Sequence, residues 1–200
     1  MNSFPDWALN HKLELGGTLF GLVYVWFSIR QSLFTWPTGI ATSLLYCLVF
    51  FNAGLYAMMG LQFYYLIISG YGWWSWKHGV NNRSGPAELK VTRTSGPLWL
   101  GIFVSSVILY LFVYSLLNKF TGSPILIGES LTTSLSIVAT WMLARKKIEH
   151  WIIWIFIDLV SAGLYLQQGL YPTVFLFVGY ALMAVIGLYE WNKQPQETPC

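Results

Sequence analysis

Seven stretches of the chain are almost uninterruptedly apolar: Leu13 to Ile29, Trp36 to Phe51, Leu61 to Trp76, Leu98 to Leu117, Ile125 to Leu143, Trp151 to Leu166 and Tyr171 to Trp191. Runs of this length read as membrane-spanning helices, and the shorter ones must draw in flanking residues to reach the ~20 that a perpendicular crossing takes. The predicted fold class is an all-α integral membrane protein of seven transmembrane helices, one membrane domain over residues 1–200. The one long polar stretch, Lys77 to Pro97, is rich in Gly, Pro, Asn and Ser and predicts a loop between the third and fourth spans. The first ten residues, MNSFPDWALN, lack the basic start and cleavage pattern of a signal peptide, so the first span is expected to stay.

Composition agrees with a bilayer as solvent. Charged residues make up 10% of the chain, against the roughly 25% with which a soluble domain covers its surface. Eleven Trp and twelve Tyr exceed what a core needs, and such amphipathic rings favour the boundary between hydrocarbon and headgroups. With seven spans, Arg30, Lys77, Arg83, Lys90, Arg93, Arg145, Lys146, Lys147 and Lys193 fall on one side, and only Lys12 and Lys119 on the other. The positive-inside rule puts the nine in the cytoplasm, the N-terminus outside and the C-terminus inside. The basic loop then faces anionic lipid, and nothing about it calls for nucleic acid. Cys47 and Cys200 form no disulfide framework.

A shift of 115 positions superposes Glu14 on Glu129, Thr18 on Thr133, Val23 on Val138, Trp26 on Trp141, Arg30 on Arg145 and Trp36 on Trp151. Ala53-Gly54-Leu55-Tyr56 and Gly60-Leu61 recur at a shift of 109 as Ala162-Gly163-Leu164-Tyr165 and Gly169-Leu170, and the shift of 115 returns for Trp76 and Trp191. The repeat groups residues 13–76 and 125–191 as two three-helix units joined by a linker helix at 98–117. An odd linker lets both triplets enter the membrane in the same direction. The expected arrangement is 3+1+3 parallel repeats, SWEET-like, enclosing a path between its halves.

Polar groups in mid-span are therefore candidates for substrate contacts. Asp158 stands first, because a carboxylate at that depth costs about 2.5 to 3.5 kcal/mol unless it faces protein or water; its bland alternative is a pair with a hydroxyl or backbone group on a neighbouring helix. Asn52, Gln62, Ser69 and Gln168 serve equally well as interhelical glue. Tyr46, Tyr56, Tyr65, Tyr165 and Tyr180 could line an aromatic path or simply pack. The hydroxyl-rich run Ser130 to Ser136 either lets helices pack closely or lines water. Trp73, Trp74 and Trp76 near the end of the third span, and Trp151 and Trp154 at the start of the sixth, suit interfacial anchoring. Yet Trp151, Trp154, Asp158 and Tyr165 follow spacings of three, four and seven, so they form one stripe on a helix face. Rings ending in a carboxylate fit a flat aromatic cation.

Trp36-Pro37 opening the second span, Leu61-Gln62, Tyr71-Gly72-Trp73 with Trp76, Trp151-x-x-Trp154, and the Gly187-to-Trp191 ending together resemble the PnuC family of bacterial vitamin transporters, over about Glu14 to Trp191. The resemblance implies a SWEET-like trimer in the inner membrane. It implies facilitated diffusion of nicotinamide riboside, thiamine or riboflavin, followed by trapping through a cytoplasmic kinase or pyrophosphokinase. It also implies that Gln62, Trp73, Trp76, Trp151 and Trp154 line or flank the site. The sequence departs from the nicotinamide riboside pattern at Ser69, Leu176 and Ile186, where Asn or Glu is expected, and at Asp158, where Asn is expected. A ribose left without polar partners in a dry site loses about 1 to 3 kcal/mol per unmade bond. Thiamine, cationic and without a ribose, is thus favoured over nicotinamide riboside, with riboflavin third because it is larger and carries no cation.

Enzyme chemistry finds little support. His11, His78 and His150 are expected in loops at the membrane edges, no two of them sharing a helix face with a carboxylate at metal spacing. There is no phosphate-cradling glycine loop or nucleophile elbow. No cofactor and no metal are expected. A non-transporting receptor remains the alternative of another class.

Overall fold

The computed structural model describes residues 12–52, 56–82, 85–87, 89–120 and 124–193. The first ten residues, His11, Ala53 to Leu55, Arg83 and Cys200, on which several expectations fall, lie outside the described residues. Among the described residues there are seven helices: α1 (Lys12–Ile29), α2 (Thr35–Asn52), α3 (Tyr56–His78), α4 (Gly96–Phe120), α5 (Leu126–Ala144), α6 (His150–Gln167) and α7 (Tyr171–Asn192). By length and apolar composition α4, α5, α6 and α7 can each cross a membrane, and Gly16–Ile29 is a shorter apolar segment. In α2 and α3 the aliphatic residues are diluted by Thr, Ser, Gly, Gln, Tyr and Trp.

Two boundaries differ from the sequence expectation. The third helix begins at Tyr56, a turn before Leu61, and runs to His78; the fourth spans Gly96–Phe120, longer than Leu98 to Leu117 at both ends. The polar loop also holds a short antiparallel hairpin, β1 (Val80–Asn82) and β2 (Gly85–Ala87), with Val80 opposite Ala87. Gly79, at φ 63°, ends α3 in the left-handed conformation that glycine adopts without steric cost, and so turns the chain into β1.

The chain gathers into two compact units, Met1–Trp74 and Ser75–Cys200. α3 therefore passes from the first unit to the second in its last turn, and α4 sits in the second unit, packed on α5. In the first unit α1 packs on α2; in the second, α5 packs on α6 and α6 on α7. Ile102, Val138 and Met142 form a small core in the second unit, with Leu98, Leu109, Trp141 and Ile153 against it. The hydroxyls of α5 explain how so polar a helix can be buried. Ser130 donates to the Leu126 carbonyl at 2.7 Å, Ser134 to Leu131 at 2.9 Å, Ser136 to Thr132 at 2.8 Å and Thr140 to Ser136 at 2.7 Å. The helix satisfies its own hydroxyls, leaving small side chains that neighbours can approach.

Two local joints recur at the shift of 115. In the first unit the fully buried indole of Trp36 lies so close over Gly72 that a Cβ there would overlap the ring; in the second, a Cβ at Gly187 would come within 2.6 Å of the Trp151 indole. The preceding turns match bond for bond. Arg30, Gln31 and Ser32 donate their N–H groups to Trp26, Ser28 and Phe27, while Arg145, Lys146 and Lys147 donate to Trp141, Leu143 and Met142. Gln31 (φ 52°) and Lys146 (φ 49°) hold the same left-handed conformation, uncommon for residues with a side chain.

A clasp closes the end of the second unit at the α5–α6 turn. The Thr92 N–H donates to the Lys146 carbonyl at 3.0 Å, and the Ile148 N–H to the Thr92 carbonyl at 3.2 Å. The Glu149 carboxylate accepts from the Thr94 N–H at 3.0 and 3.1 Å and from the Thr94 hydroxyl at 2.6 Å. Lys147 Nζ donates to the Arg93 carbonyl at 3.2 Å, and Arg93 reaches Asn192 Oδ1 at 3.3 Å, at the end of α7. Partial burial pulls the Lys147 ammonium below the ordinary lysine value, with Glu149 opposing the shift.

Candidate functional site

In the second unit the buried face of α6 carries the stripe expected from spacing. Trp151 and Asp158 are buried and Trp154 and Tyr165 half-buried, while Ile152, Phe156, Leu159 and Leu166 occupy the exposed face. Neighbours fix each ring differently. Trp151 meets Trp191 edge-on at 5.7 Å and His150 at 4.4 Å; Trp76, on the last turn of α3, lies 6.4 Å from Trp191; and the Lys146 ammonium sits 4.8 Å over the Trp76 ring. Tyr165 stacks on Phe177 of α7 at 5.3 Å, and Phe177 meets Tyr180 at 6.1 Å. The stripe thus begins in a packed aromatic cluster and ends in a ring ladder.

Asp158 is 4% exposed and has no hydrogen bond or ion pair among the described residues. Ser130 and Ser134 of α5 donate their hydroxyls to carbonyls of their own helix. The bland alternative, a carboxylate tied to a neighbouring hydroxyl or backbone group, therefore has no counterpart among the described residues. A buried polar group without a partner is uncommon and calls for a reason, such as a ligand or an ordered water. At the start of the stripe, His150 Nε2 and Trp151 Nε1 are fully buried and make no hydrogen bond among the described residues.

In the first unit, Gln62 and Ser69 are buried and Tyr65 half-buried, all on one face of α3, with Tyr64 and Tyr65 meeting at 5.5 Å. The Ser69 hydroxyl faces Gly39 of α2. Asn52 is exposed at the end of α2, and Trp73 is 42% exposed, as suits an interfacial ring. Of the positions where the sequence departs from the nicotinamide riboside pattern, Ser69 is buried and Leu176 half-buried, but Ile186 faces outward, 52% exposed.

Three residues carry more than the sequence suggested. His150, expected in a loop, is the first residue of α6 and fully buried, its Nδ1 2.7 Å from the Lys147 carbonyl; His78 is the last residue of α3. The shift of 115 pairs His150 with Thr35, also fully buried. The same shift pairs Asp158 with Ser43, both 4% exposed. Glu129 is half-buried in the first turn of α5. Among the described residues no group of His, Cys, Asp and Glu could hold a metal ion.

A family model described as nicotinamide mononucleotide transporter matches residues 11–193. The chain belongs to that family, the PnuC transporters. It is 24% identical to the nicotinamide riboside transporter PnuC of Escherichia coli over 92% of this chain and 87% of that one. It is 26% identical to the riboflavin/roseoflavin transporter RibM of Streptomyces davaonensis, over 89% of this chain and 83% of that one. Among solved structures, the vitamin B3 transporter PnuC matches with a TM-score of 0.73 at 21% identity, over 94% of this chain and 83% of that one. This PnuC-family member is thus an all-helical membrane transporter whose fold has a crystallographic counterpart.

Proposed function

We propose that this PnuC-family chain takes up a cationic aromatic B-vitamin by facilitated diffusion across the bacterial inner membrane, with thiamine favoured over nicotinamide riboside. The observation that carries the reading is the buried, unpartnered Asp158 on the same helix face as Trp154 and Tyr165. A ring cation gives that carboxylate the counter-charge that the described residues do not supply, and the aromatic side chains offer stacking and cation–π attraction. The buried Ser69 and half-buried Leu176, where the nicotinamide riboside pattern has longer polar groups, leave fewer partners for a ribose. Riboflavin is the second reading, favoured by the likeness to RibM; it brings no ring cation and leaves Asp158 unsatisfied. The remaining candidate residues are Asn52, Gln62, Tyr65 and Trp73 in the first unit and Trp76 and Trp151 in the second.

The reading includes seven spans in the 3+1+3 parallel-repeat, SWEET-like arrangement, a homotrimer, and trapping of the vitamin by a cytoplasmic kinase or pyrophosphokinase. Purified protein in liposomes should equilibrate thiamine, and nicotinamide riboside more slowly, without changing either. Because the sequence holds no cluster built to bind a coupling ion, imposed proton or sodium gradients should not drive accumulation. Concentration of unmodified vitamin above the external level would overturn facilitated diffusion. Uptake of riboflavin alone would move the assignment to the second reading.

Orientation has its own test. With the N-terminus outside, a cysteine placed at Lys119 should react with an impermeant maleimide on intact cells, whereas one at Lys147 should react only after lysis. The opposite pattern would reverse the topology.

A further inference from the structure

The geometry points to Thr94 and Glu149 as positioning residues that set the direction of the α6 stripe, acting from the cytoplasmic loop without touching the vitamin. Glu149 is the residue immediately before α6 and its carboxylate receives every polar hydrogen that Thr94 can give, two backbone contacts and a hydroxyl bond of 2.6 Å. Such a charge-assisted bond is short and about twice as strong as a neutral one. The strand-like bridge through Thr92 fixes the two residues on either side of Lys147. Buried Val91, 2% exposed, seats the same segment. The axial rotation of α6 is thus held at its first residue by an element far from it in sequence.

Rotation at that point decides where the stripe faces. Successive residues of a helix are about 100° apart, so a turn of one position would carry Asp158 towards the face now occupied by Leu159, which is exposed. On α6 itself the Trp151 indole, packed on Gly187 and Trp191, resists this in the first turn, and the clasp adds a second hold from outside the helix, since Glu149 makes no side-chain cap to its own helix and His150 bonds back to the turn through Lys147. The Lys146 ammonium over Trp76 and the Arg93 bond to Asn192 tie the same turn to the ends of α3 and α7. The clasp therefore orients the first turns of α6 against the elements that stay around it.

The inference rests on the proposed role of Asp158, and the test separates the two. Wild type, Thr94→Val, Thr94→Ser, Asp158→Asn and the Thr94→Val/Asp158→Asn double variant are placed in lipid nanodiscs; thiamine binding is measured by calorimetry and amide exchange by mass spectrometry. Thr94→Val keeps shape and removes the hydroxyl bond. It should weaken thiamine binding about threefold to tenfold, the range for one lost hydrogen bond, and speed exchange across residues 150–158. Thr94→Ser should restore both. In the Asp158→Asn background Thr94→Val should cost less than about twofold, because residues that act through one another are not additive. Equal losses in both backgrounds, or unchanged exchange over 150–158, would overturn the positioning role. If Asp158→Asn leaves binding intact while Thr94→Val still loosens 150–158 and Thr94→Ser restores it, the orienting role stands and the carboxylate's contact with the vitamin falls.

Discussion

Alanine at Gly72 should lower stability by about 1 to 3 kcal/mol, the usual cost of forcing a methyl into a filled interior. The added Cβ would overlap the indole of Trp36, which is fully buried and cannot swing aside into solvent. Gly70 supplies the control on the same helix, since nothing lies within 4 Å of where its Cβ would stand. Gly70→Ala should leave the melting temperature unchanged or raise it, because alanine is the better helix former by about 1 kcal/mol. Thermal unfolding of the two variants in detergent gives the comparison. A smaller ring should rescue the first, so Trp36→Phe combined with Gly72→Ala should melt above Gly72→Ala alone. If Gly72→Ala melts with wild type, the ring does not sit over the glycine.

Removing the charge of Asp158 should have the larger effect on function. Asp158→Asn keeps the side chain's shape, so affinity for thiamine should fall by what a desolvated charge pair loses with one partner, typically 2 to 5 kcal/mol, or about 30-fold and more. A neutral analogue lacking the thiazolium charge should bind wild type and variant alike. Protein yield and melting temperature should hold or rise, since the carboxylate has no partner to lose among the described residues. Normal binding of thiamine by a variant that melts well below wild type would make Asp158 a structural residue.

The two Trp–Gly joints were legible in the sequence as residues recurring at one shift. Trp36 and Trp151, Gly72 and Gly187, Arg30 and Arg145 stand at one spacing, and both joints carry the same backbone bonds. The α6 stripe was legible because 3.6-residue periodicity dictates which side chains share a face. Burial of His150 was not: a histidine two residues after a run of three basic residues reads as a polar turn, and only its packing against Trp151 and Trp191 shows otherwise. Glu149 and Thr94 lie 55 positions apart, and nothing in local pattern joins residues so distant. Nor could hydropathy show that Ile186 faces outward while Ala184 two places earlier is buried, since lipid and protein interior accept the same apolar side chains.

The Trp–Gly joints leave the chain free in one particular respect. Each is made of an indole, a glycine and a backbone turn, so neither depends on the charge of side chains buried elsewhere in its unit. Ser43 and Asp158, paired by the shift of 115 and both 4% exposed, differ in charge while both joints are kept. Charge at these two buried positions can therefore change by a single substitution while the Trp–Gly packing of its unit stays as it is.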